Sequence, residues 1–339
     1  MSTIGILTGG GDCPGLNAAI RAVTVRVLST PGNRVLGFED GWAGVMQGQY
    51  RELDRDAVRG IITRGGTILG TSRMDPFVHG DGAGSVRPVF DETGLDALVV
   101  IGGDGTLRSA GQLAEAGLPM VGIPKTIDND ISGTDTTFGF DTAVQIATEA
   151  IDRITTTAES HNRVMLVEVM GRTQGWIAIH AGVAAGADAI LIPEFPESLE
   201  AVAAGITRRH EAGANYSVIV IAEGIEPPGS MNLPVDAFGF ERLGAVSYQV
   251  APILERLTGF ESRVTILGYL QRGGTPTAAD RFLATRLGVR AADAALAGET
   301  ATFTALRGNS IVLAPIAEAC GPPRPVDRAR YEMASTFFS

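Results

Sequence analysis

Three glycine-rich or acidic turns and a set of arginines hold most of the chemistry available to this sequence. The first turn is Thr8-Gly9-Gly10-Gly11-Asp12-Cys13-Pro14-Gly15-Leu16-Asn17, lying between an apolar run and a helical pattern. Consecutive glycines let backbone N–H groups approach a phosphate, and the start of a helix adds a favourable dipole. The same residues also suit a plain tight turn. The segment is neither a Walker A motif nor a well-spaced G-x-G-x-x-G. The second turn runs from the apolar Val99-Val100-Ile101 into Gly102-Gly103-Asp104-Gly105-Thr106. An acid set among glycines at a buried strand end is costly without a partner, and a carboxylate there suits Mg²⁺, which takes hard oxygen ligands.

The third segment is Gly122-Ile123-Pro124-Lys125-Thr126-Ile127-Asp128-Asn129-Asp130. Two carboxylates two residues apart can divide the work: one accepts a proton while the other orients the site or assists a metal. An acidic helix-cap turn is the plainer alternative. Lys125 is the only lysine among 27 basic residues. Its survival where arginine serves everywhere else points to a task for a compact, flexible ammonium. The arginines that could hold phosphate are Arg163 and Arg263, each just ahead of an apolar run, and Arg172 and Arg272, in Met170-Gly171-Arg172 and Tyr269-Leu270-Gln271-Arg272 after those runs. A guanidinium grips phosphate with a bidentate fork, although a lone surface arginine more often makes an ordinary ion pair.

These segments need a scaffold that presents strand ends. The apolar runs Thr3–Thr8, Arg34–Phe38, Ala97–Ile101, Met120–Ile123, Val164–Val169, Ala189–Ile192, Ser217–Ala222 and Val264–Leu267 are not polar on alternate residues. They therefore read as parallel strands covered on both faces. Helical patterns cover Asn17–Leu28, Leu107–Ala116, Asp141–Thr155, Leu199–Ala212 and Leu243–Leu257. Strand–helix alternation predicts an α/β fold with right-handed crossovers, and in such sheets ligands sit beyond the carboxyl ends of the strands. The Gly/Pro-rich stretch Glu223–Pro234 reads as a loop, and the tail after Ala314 is less patterned.

Composition narrows the function further. A formal net charge of −11 opposes a nucleic-acid-binding role, so an anionic ligand must be held by a few placed cations. No apolar run is long enough to span a membrane. Two cysteines, Cys13 and Cys320, make no disulfide framework, and the first residues lack a signal-peptide pattern. The expectation is a soluble cytoplasmic protein.

GGDG is similar to the nucleotide loop shared by phosphofructokinases, NAD kinases and diacylglycerol kinases. The string PKTIDND, together with HNR, VMGR and LGYLQRGG in the same order from about Ile4 to about Gly298, resembles the bacterial-type 6-phosphofructokinases and not the other two. The resemblance implies two doubly wound α/β domains with mainly parallel sheets and an active site in the cleft between them. It implies a nucleotide-binding domain over 1–138 plus about 270–310, and a sugar-phosphate-binding domain over 139–269 with part of the C-terminal tail. It further implies that Asp128 is the base on the sugar 1-hydroxyl, with Arg172 and Thr126 assisting, and that Asp104 holds Mg²⁺. Gly11, Arg73, Met74, Gly103, Asp104, Gly105 and Thr106 would line ATP. Thr126, Ile127, Asp128, Met170, Gly171, Arg172, Glu223, Tyr269, Leu270, Gln271 and Arg272 would face fructose 6-phosphate. Arg163 and Arg263 would reach the 6-phosphate from a neighbouring subunit, which requires a homodimer or homotetramer. Gly105 matches ATP users and Lys125 matches pyrophosphate users, so the pattern resembles the mixed-substrate subgroup. ATP is the expected donor because an acid at 105 would crowd and repel the nucleotide, and room once lost is not restored by an added cation. The alternatives are a pyrophosphate-dependent enzyme and a non-catalytic sensor on the same fold. The segment Glu211–Tyr216 lacks the bases of allosteric relatives, so weak regulation by ADP or phosphoenolpyruvate is expected.

Overall fold

The structure is a computed structural model that describes residues 1–227 and 244–338. It divides into two compact units, Met1–Thr142 with Arg272–Pro323, and Ala143–Gln271 with the residues from Arg324 onward. The strands of the first unit are β1 (Thr3–Gly9), β2 (Arg34–Phe38), β3 (Tyr50–Glu52), β4 (Ala97–Gly102), β5 (Met120–Thr126) and β6 (Phe138–Gly139). In the second unit they are β7 (Val164–Val169), β8 (Ala189–Leu191), β9 (Ser217–Ala222) and β10 (Ser262–Ile266). Finally β11 (Thr302–Arg307) and β12 (Ser310–Pro315) return to the first unit.

The first sheet has the order β12-β11-β5-β4-β1-β2-β3, with β6 paired to the end of β5. Its centre is parallel, and the two outermost pairs, β11–β12 and β2–β3, are antiparallel. All six residues of β4 and all seven of β5 are buried. Helices cover both faces, which is why these strands are apolar throughout. On one face the helices Leu16–Val27 and Ala278–Ala297 approach so closely that a methyl group at Gly288 would lie 2.8 Å from Ala22. Only glycine fits at that crossing. The second sheet, β10-β7-β9-β8, is entirely parallel, over a core of Leu166, Ile219, Ile221, Val250 and Leu254.

Three expectations need correction. β5 does not stop at Ile123 but continues to Thr126. Pro124 is opposite Gly102, the last pair with β4, and Lys125 and Thr126 then pair with β6. The proline therefore marks a change of neighbour and not the end of the strand. The weakly patterned tail also contains order: β12 ends at Pro315, and a helix spans Arg328–Ser335. The predicted helix from Leu243 starts at Ser247, and Leu243 lies outside the described residues, as do 228–234 of the predicted loop.

Candidate active site

The strand order reverses between β1 and β4, which run parallel. From β1 the chain moves to β2 on one side, and β4 and β5 lie on the other. Such a switch point opens a crevice at the carboxyl ends of the two strands. The first glycine turn follows β1 and the Gly-Asp-Gly turn follows β4, so both flank that crevice. Thr106 is seated between them: a methyl group at Gly9 would lie 2.7 Å from its side chain, and one at Gly102 2.4 Å. Both glycines are needed for the turns to close on Thr106.

The Thr126–Asp130 segment leaves β5, the neighbour of β4. Asp128 is only 4% exposed. Its Oδ2 accepts a hydrogen bond from Thr126 Oγ1 at 3.2 Å, and its N–H donates to that same hydroxyl at 3.1 Å. Oδ1 is buried and has no hydrogen-bond partner among the described residues. Leaving a buried carboxylate oxygen unpaired costs on the order of 1–3 kcal/mol, and it leaves an acceptor free. The loop is held from behind: Thr137 N–H donates to Asn129 Oδ1 (3.0 Å) and Thr137 Oγ1 to the Thr126 carbonyl (2.8 Å). Asn129 adopts a left-handed φ of 54°, a conformation asparagine tolerates better than most residues. Ile127 is fully buried, so it offers a ligand its backbone and not its side chain.

Lys125 and Arg272 both engage the first turn. Lys125 is 2% exposed, and its ammonium donates to the Gly11 carbonyl. Burial pushes its pKa below the usual lysine value, opposed in part by the nearby charge of Asp128. Arg272 Nη1 donates to the Asp12 carbonyl at 3.2 Å and lies over Gly11, where a methyl group would sit 2.6 Å from it. Two cations therefore converge on the Gly11–Asp12 peptides in a chain of net charge −11. Arg272, expected to face the sugar phosphate, belongs to the first unit and lies on its glycine turn. Arg73 and Met74 follow Thr71 and Ser72, which fix this turn: Gly10 N–H donates to the Ser72 carbonyl (3.1 Å), and Thr71 Oγ1 donates to the Gly10 carbonyl (2.6 Å). Sequence reasoning missed Thr71 and Ser72, whose only local signal is the Gly70-Thr71-Ser72 turn.

Asp104 is the first residue of the helix Asp104–Glu115, after Gly103, so the helix starts earlier than the predicted Leu107 and takes in this part of the turn. The helix N-terminus favours its charge, and Arg108 one turn on binds both carboxylate oxygens at 3.0 Å. The expected partner of this acid is thus an arginine of its own helix. Among the described residues no three His, Cys, Asp or Glu side chains group to hold a metal. A single carboxylate just past the carboxyl end of β4, with open space beside Gly105, fits Mg²⁺ that takes its other ligands from water and phosphate.

In the second unit, Met170-Gly171-Arg172 follows β7 and Glu223 follows the adjacent β9. Glu223 Oε1 accepts the N–H groups of Gly171 (3.2 Å) and Arg172 (2.9 Å), which holds Arg172 in a left-handed φ of 52°. Gln271 is fully buried. Its amide accepts from Met170 N–H (3.3 Å) and donates to the Gly268 carbonyl (3.2 Å), so it shapes the turn from within. Tyr269 and Leu270 are exposed. Arg163 and Arg263 lie at the amino ends of β7 and β10, the opposite edge of the sheet from Arg172 and Glu223. Both pair with Glu261, Arg163 Nε at 2.8 Å.

A sequence model of phosphofructokinases matches residues 3–295. The chain belongs to the phosphofructokinase family. The α/β architecture with mainly parallel sheets is the family's. ATP-dependent 6-phosphofructokinase 3 of Streptomyces coelicolor is 51% identical, covering 98% of this chain and 98% of its own. Pyrophosphate–fructose 6-phosphate 1-phosphotransferase of Amycolatopsis methanolica is also 51% identical, covering 99% of each. Overall identity therefore does not separate phosphoryl donors in this part of the family. Among solved structures, Pichia pastoris phosphofructokinase in the T-state matches with a TM-score of 0.84 and 34% identity over 99% of this chain, which spans 36% of that longer chain.

Proposed function

We propose that this phosphofructokinase transfers the terminal phosphoryl group of Mg-ATP to the 1-hydroxyl of D-fructose 6-phosphate, giving fructose 1,6-bisphosphate and ADP. The carrying observation is the unbonded, buried Oδ1 of Asp128. As the hydroxyl oxygen bonds to phosphorus and the bond to ADP breaks, that oxygen takes the hydroxyl proton. Thr126 fixes the carboxylate through Oδ2 and so aims Oδ1. Phosphoryl transfer has a loose transition state, so positioning and charge neutralisation do most of the work. Lys125 and Arg272 supply positive charge beside the first turn, and Arg172 supplies it from the sugar side. Mg²⁺ on Asp104 would neutralise polyphosphate charge when bound. Gly103, Gly105 and Thr106, with Gly11, Arg73 and Met74, form the nucleotide side. Met170, Gly171, Glu223 and Tyr269 form the sugar side.

ATP is the donor because a side chain at Gly105 would meet no protein atom within 4 Å, which leaves room for a nucleotide tail. The second reading, pyrophosphate as donor, is favoured by Lys125, whose buried ammonium suits a small terminal phosphate. Carrying both marks is the pattern of the mixed-substrate subgroup. Arg163 and Arg263 are too far along the sheet from Arg172 and Glu223 to serve the same sugar phosphate within one chain, since a six-residue strand spans roughly 20 Å. They serve a neighbouring subunit's site in a homo-oligomer. A coupled assay with fructose 6-phosphate, Mg²⁺ and either ATP or pyrophosphate tests both readings. The expected result is a higher kcat/KM with ATP. Preference for pyrophosphate overturns the donor, and no turnover with either from folded protein favours a sensor.

A further inference from the structure

We propose that Asp280 is a positioning residue for phosphoryl transfer: it ties the segment behind Asp128 to the segment that follows Arg272. The proposal rests on the reaction assigned above. Asp280 lies in the first turn of the helix Ala278–Ala297 and is 1% exposed. Its carboxylate caps a second helix, Phe140–His161, as well as standing in its own. Oδ2 accepts the Thr142 N–H at 2.8 Å and the Thr142 hydroxyl at 2.6 Å, and the carboxylate also receives the Gly139 N–H. Gly139 is half of β6, the strand that pairs with Lys125 and Thr126, so this end of the network bears directly on the base loop.

The other end reaches the arginine segment. Thr277 N–H donates to the Thr142 hydroxyl (3.0 Å), Thr277 Oγ1 donates to Asp141 (2.6 Å), and Asp280 N–H donates to Thr277 Oγ1 (3.2 Å). Thr277 follows Arg272 by a few residues, and between them Gly274 packs its backbone so tightly on Gly65 that a methyl group there would lie 2.3 Å from the Gly274 carbonyl. A buried acid with this many donors is an expensive device for joining two ordinary helices, and each side of the link adjoins a segment with site residues: β6 pairs with Lys125 and Thr126, and Thr277 follows Arg272 in the chain.

Burial raises the Asp280 carboxyl to about pH 6, against the pull of the Thr142 and Gly139 donors. The groups facing it are Asp141, which raises it further, and the Cys13 thiol from the first turn, itself pushed by burial to about 12 and so neutral. Arg281, next in the chain, turns to the Pro276 carbonyl (2.7 Å). A proton on the carboxylate displaces one of its backbone donors and loosens the link, so turnover falls as pH drops through this value.

The test compares Thr142→Val, which removes the hydroxyl and keeps the shape, with Thr142→Ser, which keeps the hydroxyl. Thr142→Val is expected to lower kcat by about tenfold, the effect of one charge-assisted hydrogen bond, with KM for both substrates within about threefold. It is also expected to move the acid limb of the kcat profile upward, because the carboxylate has lost a donor to its ionised form. Thr142→Ser should stay within about twofold of wild type. Asp280→Asn is the second variant: its amide does not titrate, so the ionisation near pH 6 should vanish. Folded Thr142→Val with the kcat and pH profile of wild type, or an unchanged limb in Asp280→Asn, overturns the proposal alone. Wild-type protein with no turnover overturns the assigned reaction and this role with it.

Discussion

Asp128 combines burial, a fixed Oδ2 and an unbonded Oδ1, and each property follows from its neighbours. Thr126 ends β5 and turns its hydroxyl onto the next carboxylate, while Thr137 and Asn129 brace the loop from behind. An acid in that setting costs stability that an apolar residue would not, which supports the role of base proposed for it. At the same scale, the donor role proposed for Gly105 can be tested apart from folding. Its added side chain meets no protein atom within 4 Å, and its helix position tolerates an acid near the N-terminus. Gly105→Asp is therefore expected to melt within a few degrees of wild type while kcat/KM with ATP falls by at least tenfold and that with pyrophosphate is retained. Equal losses with both donors would show that residue 105 does not discriminate between them.

At the scale of elements, strands buried on both faces were legible because a short, continuous apolar run bounded by turn residues suits a covered parallel strand: β2, β7 and β9 begin and end where the sequence places them. The strands missed were short, exposed or defined by a partner. β3 is exposed at every position and exists through pairing with β2, and β6 is two residues long. The longer β11–β12 hairpin is the exception among the missed strands: its signal was present in Gly308-Asn309, which forms the turn with Gly308 at a φ of 57°, but it was not read. The candidate site was legible where residue type suggests chemistry, as at Asp104 and Asp128, whose roles remain proposals. It was not legible where backbone does the work, as at Ser72, or where a side chain is spent inside the protein, as with Gln271 and Glu223. Arg108 as partner of Asp104 was the ordinary i, i+4 pairing of a helix, hidden because Asp104 was read as part of the turn and the helix was expected to start only at Leu107. One prediction belongs to this scale. A methyl group at Gly224 would lie 2.0 Å from the Arg172 carbonyl. Gly224→Ala must displace the Met170–Arg172 turn and is expected to raise KM for fructose 6-phosphate by about tenfold or more with little change in KM for ATP. An unchanged KM for the sugar would remove that turn from its binding surface.

For the whole molecule, a net charge of −11 makes every cation held near a phosphate count, and Arg163 and Arg263 are held together by Glu261. No helix among the described residues is long and apolar enough to cross a membrane. If these arginines complete a neighbour's site, two separately inactive chains should rescue each other. Co-expressed Asp128→Asn and Arg263→Ala chains are expected to recover a measurable fraction of wild-type activity, and recovery no greater than the sum of the separate variants would show that each site is built from one chain. The most direct measurement of all is single-turnover phosphorylation by Asp128→Asn, alongside its affinity for fructose 6-phosphate. A rate lowered by on the order of 10²–10⁴, with sugar affinity changed by no more than a few fold, is the expected outcome. Wild-type turnover from that variant would contradict it and take the base away from position 128.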